Sequence, residues 1–199
     1  MTTRRQPTTP ALVAVLVTAL AGCQAQEPPA RAGRPAAPSE ARGFTLVASG
    51  DVLPHSSIIE QARADAGGDG YDFEPMLSGI KPVVSRADLA ICHMETVYGA
   101  DGDYTGYPAF KSPPQVAKSL ASTGYDACST ASNHSLDDGA AGIGRTLAAL
   151  DRAGVRHAGS ARTAQEAGGP TVMRAGGAKV AHLAYTYDTN GYPLPEGQP

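Results

Sequence analysis

The chain has 199 residues, of which 42% are hydrophobic and 18% are charged, a composition typical of one globular domain with a buried core. Its 23 glycines and 16 prolines predict many turns and helix ends. The formal net charge of −3, without a lysine or arginine cluster, excludes a general electrostatic affinity for nucleic acid. No nucleic-acid partner is therefore expected.

The first residues have the pattern of an export signal. Arg4 and Arg5 precede an apolar run, residues 11–21, which is too short to span a bilayer. A basic segment, a short apolar segment and small residues in this order are typical of a secretory signal peptide. We therefore expect residues 1–22 to be removed on export.

The apolar run ends in Leu-Ala-Gly-Cys, which resembles the lipobox of bacterial lipoproteins. That resemblance implies lipidation of Cys23 and attachment to the extracellular face of the bacterial cell membrane. An ordinary signal peptide that happens to contain a cysteine is the alternative. The lipoprotein interpretation is favoured because residues 23–43, rich in Ala, Pro, Gly and charged residues, follow as a flexible tether.

Two cysteines, Cys92 and Cys128, belong to the mature domain. Export permits a disulfide between them. Both lie in apolar runs, so the sequence favours two buried thiols instead.

Strand and helix patterns alternate along the domain, residues 44–199. Short apolar runs predict strands at 44–50, 88–94, 125–131, 155–158, 171–174 and 179–187. Helical patterns bounded by Pro or Gly cover 56–66, 75–87, 113–122 and 140–153. This alternation predicts an α/β fold with a largely parallel sheet, and Gly176-Gly177 predicts a closing hairpin.

Four potential metal ligands follow successive predicted strands: Asp51, Glu95, Asn133 and His134. Ligands of open α/β sheets bind beyond the carboxyl ends of the strands, so these residues are expected to meet at one edge. Taken singly, each has a structural interpretation, as a turn or helix cap, a solvated strand end or a packed histidine. Their joint position at one edge favours a site.

Carboxylate, amide oxygen and imidazole together suit a divalent ion such as Mn, Fe or Zn. Two such ions about 3.5–4 Å apart would activate water and hold a phosphoryl oxygen, with Asp51 as a bridging carboxylate. His134 would be either a ligand or a general acid. In the second role it would be oriented by a neighbouring carboxylate, Asp137 or Asp138.

Four segments resemble the CapA family of poly-γ-glutamate capsule biosynthesis proteins: SGDVLPH (49–55), ADLAICHMETVYG (87–99), the run 124–155 containing TASNHSLDDG, and KVAHLAYTY (179–187). The resemblance covers about residues 44–190. It implies a calcineurin-like metallophosphoesterase-type layered fold, α/β/β/α, and a part in capsule polymer synthesis. Polyglutamate and the polymer-synthase components are the partners that it implies.

The resemblance also assigns Asp51, Glu95, Asn133 and His134 to the family's acidic and Asn-His motifs. Two positions depart from the pattern. Leu53 stands where metallophosphoesterases have the histidine of Asp-x-His, and His55 lies further along. His93 stands where the second motif usually has Asn, and is either a ligand or turned away from the site.

Two later histidine motifs of the family do not occur before Pro199. The resemblance therefore predicts the N-terminal half to two-thirds of the family's domain, with an incomplete metal site. A metal-dependent, phosphoesterase-type hydrolase is expected where those histidines are supplied. The alternative is a non-catalytic scaffold lipoprotein of a polymer-synthesis complex.

Overall fold

The computed structural model describes residues 43–197, which contain eight strands and six helices. The predicted signal peptide, Cys23 and nearly all of the tether lie outside the described residues. The strands are β1 Leu46–Val52, β2 Leu89–Met94, β3 Val97–Tyr98, β4 Lys111–Ser112, β5 Ala127–Ser129, β6 Arg156–Ala158, β7 Thr171–Ala175 and β8 Ala178–His182. The helices are α1 Ser56–Asp65, α2 Glu74–Leu77, α3 Lys81–Val84, α4 Gln115–Thr123, α5 Gly139–Ala153 and α6 Ala164–Ala167.

The centre of the fold is a four-stranded sheet in the order β1-β2-β5-β6, with every neighbouring pair parallel. The predicted α/β class and parallel sheet are confirmed. Because all four strands run in the same direction, their carboxyl ends lie at one edge. No helix within residues 43–197 has the length and apolar character needed to cross a membrane.

The two faces of this sheet are covered differently. Alternate side chains of β2, Ala90, Cys92 and Met94, enter the main core, which also contains Leu120 of α4 and Leu150 of α5. Both leucines are completely buried, so truncating either to Ala would cost about 2–5 kcal/mol of folding free energy.

On the other face, Leu89 and Ala127 pack against Met173 and Ala175 of β7. The predicted hairpin of β7 and β8 is confirmed as an antiparallel pair. Its second strand ends at His182 instead of the predicted residue 187.

Proline and glycine set most helix ends as predicted. Pro113 and Pro114 precede α4, and α4 and α5 end at Gly124 (φ 109°) and Gly154 (φ 77°), in the left-handed region that glycine adopts without steric cost. The predicted helix 75–87 is wrong in its continuity. It consists of α2 and α3, because Pro82 cannot continue the hydrogen bonds of a preceding helix and instead lies in the first turn of α3.

The expectation of two separate thiols is also wrong. Cys92 and Cys128 are buried as predicted, but they form a disulfide, with their Cα atoms 4.4 Å apart. The reason lies in the strand register, which pairs Cys92 of β2 directly with Cys128 of β5. The disulfide therefore joins the two strands whose ends carry the Glu95 and Asn133 segments.

Candidate metal centre

Three side chains form a compact group at the carboxyl ends of β1 and β2. Asp51, His93 and Glu95 each offer one ligand atom, and these atoms all lie within 4.8 Å of one another. An irregularity in the pairing of β1 with β2, between Ala48 and Asp51, brings Asp51 opposite His93. His93 and Glu95 are two residues apart, so both side chains project to the same side of β2.

The charges of this group are not balanced. Burial, and then the neighbouring carboxylate of Asp51, raise the pKa of Glu95, while His134 and His93 lower it. Its Oε2 atom is buried and has no hydrogen-bond partner among residues 43–197. A buried acceptor of this kind, beside a second carboxylate and an imidazole, fits a divalent cation, which would supply the missing positive charge.

His93 belongs to this group, which settles the question of its orientation left open by the sequence. Its Nδ1 lies 2.7 Å from Oγ of Ser129, on the neighbouring strand β5. A histidine that ligates a metal through one ring nitrogen typically makes a hydrogen bond with the other. With Nδ1 engaged by Ser129, Nε2 is the nitrogen available to a cation.

His134 and Asp137 form a second unit close to the first. Nδ1 of His134 lies 2.7 Å from Oδ2 of Asp137, and the backbone N–H of Phe110 donates to the same oxygen at 2.6 Å. The Asp137 side chain is fully buried. Asp138, the other carboxylate in reach by sequence, instead forms an ion pair with Arg145.

The loop that carries His134 is held by its own hydrogen bonds. Oγ of Ser132 accepts from the His134 N–H at 3.0 Å, and Oγ of Ser135 accepts from the Ser132 N–H at 2.8 Å. Gly159 (φ 118°) lies so close beneath the loop that a Cβ there would come 2.6 Å from the Ala131 nitrogen. These contacts fix the loop at the end of β5, so the backbone that carries the His134 imidazole is held in place.

Asn133 is half-buried at the same edge. Its side chain lies between two polar neighbours, Oγ of Ser132 at 3.1 Å and the carboxamide of Asn190 at 3.2 Å. The four residues predicted to meet at one edge thus lie on two neighbouring groups. Asp51 and Glu95 belong to the first, and Asn133 and His134 lie on the loop that follows β5. Their electrostatic link is the effect of His134 on the pKa of Glu95.

Sequence reasoning missed Ser129, Phe110 and Asn190 as members of the site and left His93 undecided. The spacing of two residues between His93 and Glu95 was the available signal for His93. His55, the histidine that lies further along the first motif, packs edge-on against Phe110, with ring centroids 4.9 Å apart. It is not part of the Asp51 group.

A cleft of about 840 Å³ lies beside the loop that carries His134, between α5, β6 and the segment after β8, and Ala131 and Ser135 are among its lining residues. Its volume falls in the range of small-molecule sites. None of the Asp51 group lines it. Perturbed and unpaired charge, rather than cavity size, therefore identifies the candidate site.

Comparison with known proteins identifies the family. The family model described as "Bacterial capsule synthesis protein PGA_cap" matches residues 45–198. Two uncharacterized proteins of Sinorhizobium fredii (strain NBRC 101917 / NGR234) are similar: y4uA is 30% identical and y4sH 29% identical, each over 149 residues and 71% of this chain. The chain spans about 30% of the length of these curated relatives. It belongs to the PGA_cap family of bacterial capsule synthesis proteins, as its resemblance to CapA proteins predicted.

Proposed function

We propose that this protein provides part of a divalent-metal-dependent hydrolase site of the phosphoesterase type, acting in capsule polymer synthesis. The observation that carries the proposal is the group of Asp51, His93 and Glu95 beside the His134–Asp137 pair. Two carboxylates and an imidazole lie together without a protein cation, and a buried oxygen of Glu95 is unpaired among the described residues. Such an arrangement costs folding free energy unless a ligand balances it.

Asp51, Glu95 and Nε2 of His93 would hold the ion, and the carboxamide oxygen of Asn133 would add a neutral ligand. Mn, Fe or Zn fits this mixture of nitrogen and oxygen donors. When bound, such an ion supplies a Lewis acid and lowers the pKa of a coordinated water. The protein's role is to hold these donor atoms close together at the end of the sheet.

His134 is placed for proton transfer or ligation through Nε2. Oδ2 of Asp137 accepts a hydrogen bond from the Nδ1–H of His134, which fixes the tautomer and leaves Nε2 directed away from this carboxylate. The Phe110 N–H keeps the Asp137 oxygen in place, and Phe110 also packs edge-on against the imidazole with centroids 4.8 Å apart. The imidazole therefore has little freedom to rotate away from the site.

The family supports the capsule role, and the metallophosphoesterase-type layered fold is part of the proposal. The parallel sheet with helices on one face and a β-hairpin on the other is compatible with two central β layers. Polyglutamate or a phosphorylated precursor of the capsule polymer is the proposed substrate class. The further histidine ligands of such sites would complete the ion's coordination.

We place the protein at the extracellular face of the cell membrane, anchored through a lipid on Cys23 and working beside polymer-synthase components. The Leu-Ala-Gly-Cys motif and the basic and apolar segments before it support this. A Cys23→Ala variant, expressed in a capsule-forming bacterium, should move from the membrane fraction to the soluble fraction. Equal membrane retention of the variant and the native protein would contradict the anchor.

Hydrolysis of a phosphodiester tests the proposed activity. When the further histidine ligands are supplied and Mn²⁺ or Zn²⁺ is loaded, the native protein should hydrolyse bis(p-nitrophenyl) phosphate, and His134→Ala should reduce the rate by about 10²–10⁴-fold. His157→Ala is the matched control, since His157 also pairs with an aspartate, Asp151, at 3.1 Å but lies outside the site. The scaffold role would be favoured by two results together. The native protein would bind metal without hydrolysing the diester, and His134→Ala would sustain capsule formation as well as the native protein does.

A further inference from the structure

The segment after β8 returns to the candidate site. Asn190 lies in it, more than fifty positions beyond the Asn-His motif, yet its carboxamide is 3.2 Å from that of Asn133. It is also 3.4 Å from Nδ1 of His134. Neither the acidic motifs nor the strand ends include this residue.

A specific turn presents Asn190 to the site. Asn190 (φ 55°) and Gly191 (φ 78°) both have left-handed backbone, and the Tyr192 N–H donates to the Thr189 carbonyl at 3.0 Å. This is the geometry of a type I′ turn, for which Asn-Gly is the preferred pair. Asn190 is the one non-glycine residue with positive φ between residues 43 and 197.

Side-chain hydrogen bonds hold the turn from both ends. Oδ1 of Asp188 accepts from the Asn190 N–H at 3.1 Å, and the Thr189 hydroxyl donates to the Tyr192 carbonyl at 2.7 Å. The backbone conformation of Asn190 is therefore determined locally. Its side chain is free to serve the contact with Asn133 and His134.

The contact couples the two members of the Asn-His motif. Nδ2 of Asn133 donates to Oδ1 of Asn190, while Oδ1 of Asn133 accepts from the Ser132 hydroxyl. The Nδ1 proton of His134 is directed at Asp137, so the contact of Asn190 with this nitrogen is mainly one of packing. Asn190 thus spans the neutral ligand candidate and the imidazole.

We infer that Asn190 is a positioning residue of the metal centre, which holds the carboxamide of Asn133 in a fixed orientation beside His134. This inference rests on the proposed function, because it assigns Asn133 to the ion. It adds the turn at residues 188–192 to the segments of the site that carry Asp51, Glu95, Phe110 and Asn133.

The variant Asn190→Gly isolates the side chain, since glycine keeps the left-handed turn and removes only the carboxamide. In the metal-free native protein, NMR should show the Asn133 side-chain amide protected from hydrogen exchange. Exchange should be about fivefold faster in Asn190→Gly, the factor expected for one hydrogen bond of about 1 kcal/mol. Tyr187→Ala, which alters a fully exposed side chain of the same segment, should leave exchange unchanged.

Mn²⁺ titration supplies the second arm. The dissociation constant should rise about 10-fold in Asn190→Gly, as for other partners that orient metal ligands, and stay at the native value in Tyr187→Ala. In a double-mutant cycle, Asn133→Ala with Asn190→Gly should lose no more affinity than Asn133→Ala alone. A merely structural role would instead lower the thermal midpoint and give additive losses.

The two arms separate the possible failures. Unchanged Asn133 exchange and unchanged Mn²⁺ affinity in Asn190→Gly, with native binding intact, would overturn the inference and leave the proposed function standing. A native protein that binds no Mn²⁺ would overturn the proposed function, and the role of Asn190 in positioning a ligand would fall with it.

Discussion

Two clusters of this protein contain the same kinds of acidic and imidazole groups but differ in how the negative charge is balanced. The metal-centre group combines Asp51 and Glu95 with His93. A second cluster, the arginine cluster, consists of Asp151, His157, Arg162 and Glu166, on and around α5, β6 and α6. Each has two carboxylates and an imidazole, but only the arginine cluster contains its own permanent cation.

The pKa values of the glutamates in the two clusters shift in opposite directions. Hydrogen bonds from Arg162 lower the pKa of Glu166, whereas burial and Asp51 raise the pKa of Glu95. Arg162 donates to Asp151 at 2.7 Å and to Glu166 at 3.1 Å. The arginine cluster carries its own counter-ion and is a structural ion pair, whereas the metal-centre group lacks one and is the candidate cation site.

The largest expected effect is on metal affinity. Glu95→Gln removes an anionic ligand, so the Mn²⁺ dissociation constant should rise by more than about 100-fold, beyond the loss seen for outer partners. Glu166→Gln is the matched control and should bind Mn²⁺ like the native protein. Isothermal titration of both variants decides the point, and equal losses in the two would break the distinction between the clusters.

Metal should stabilise the folded protein through the unbalanced group. At a free Mn²⁺ concentration 100 times the dissociation constant, the free energy of unfolding should rise by about 2.7 kcal/mol. Chemical denaturation with and without a chelator measures the gain. An Asp51→Asn variant that gained as much as the native protein would show that the ion binds elsewhere.

Removing the arginine should have a smaller effect. Arg162→Gln should lower the free energy of unfolding by about 0.5–1 kcal/mol, because its ion pairs with Asp151 and Glu166 are partly exposed to solvent. Mn²⁺ affinity should be unchanged. Urea denaturation of the metal-free protein gives the first value, and a changed Mn²⁺ affinity would mean that the two clusters are coupled.

The smallest effect is a pair of opposite pH dependences in metal-free protein. The pKa of Glu95 is above its ordinary value of 4.5, so its charge destabilises the fold above the folded pKa and this penalty disappears as pH falls below 4.5. Glu95→Gln should therefore be more stable than the native protein near pH 7, and the difference should vanish in acid.

Glu166 behaves in the reverse sense. Its pKa is below 4.5, so its charge stabilises the fold above pH 4.5, and the contribution is lost as pH falls through the folded pKa. Glu166→Gln should be slightly less stable than the native protein near pH 7. Urea midpoints between pH 3 and 7, measured with chelator, compare both variants, and slopes of the same sign would contradict the account.

Periodic and terminating signals made most of the fold predictable. The apolar run of β2 and the Gly124 and Gly154 helix ends act locally, so they are visible in one sequence. The split of the predicted helix 75–87 turned on the competition between helix propensity and Pro82. The disulfide depended on the register of β2 against β5, which no local pattern specifies.

The site was predictable where it follows strand ends and not where it depends on tertiary contact. Because ligands of open α/β sheets bind beyond the carboxyl ends of the strands, the sequence predicted that Asp51, Glu95 and the Asn-His segment lie at the same edge of the sheet. The choice of Asp137 over Asp138 required the loop geometry and the competing Arg145. Asn190 lies in a turn far along the chain, and only the folded structure shows that this turn contacts Asn133.

Location of the ion itself tests the central claim most directly. Crystals of the native protein soaked in Mn²⁺, with anomalous scattering data, should show a peak within coordination distance of Asp51, His93 and Glu95. The same soak of Glu95→Gln should lose the peak. A peak at Asp151 and Glu166 instead, or density unchanged by the Glu95 substitution, would contradict the assignment of the metal centre.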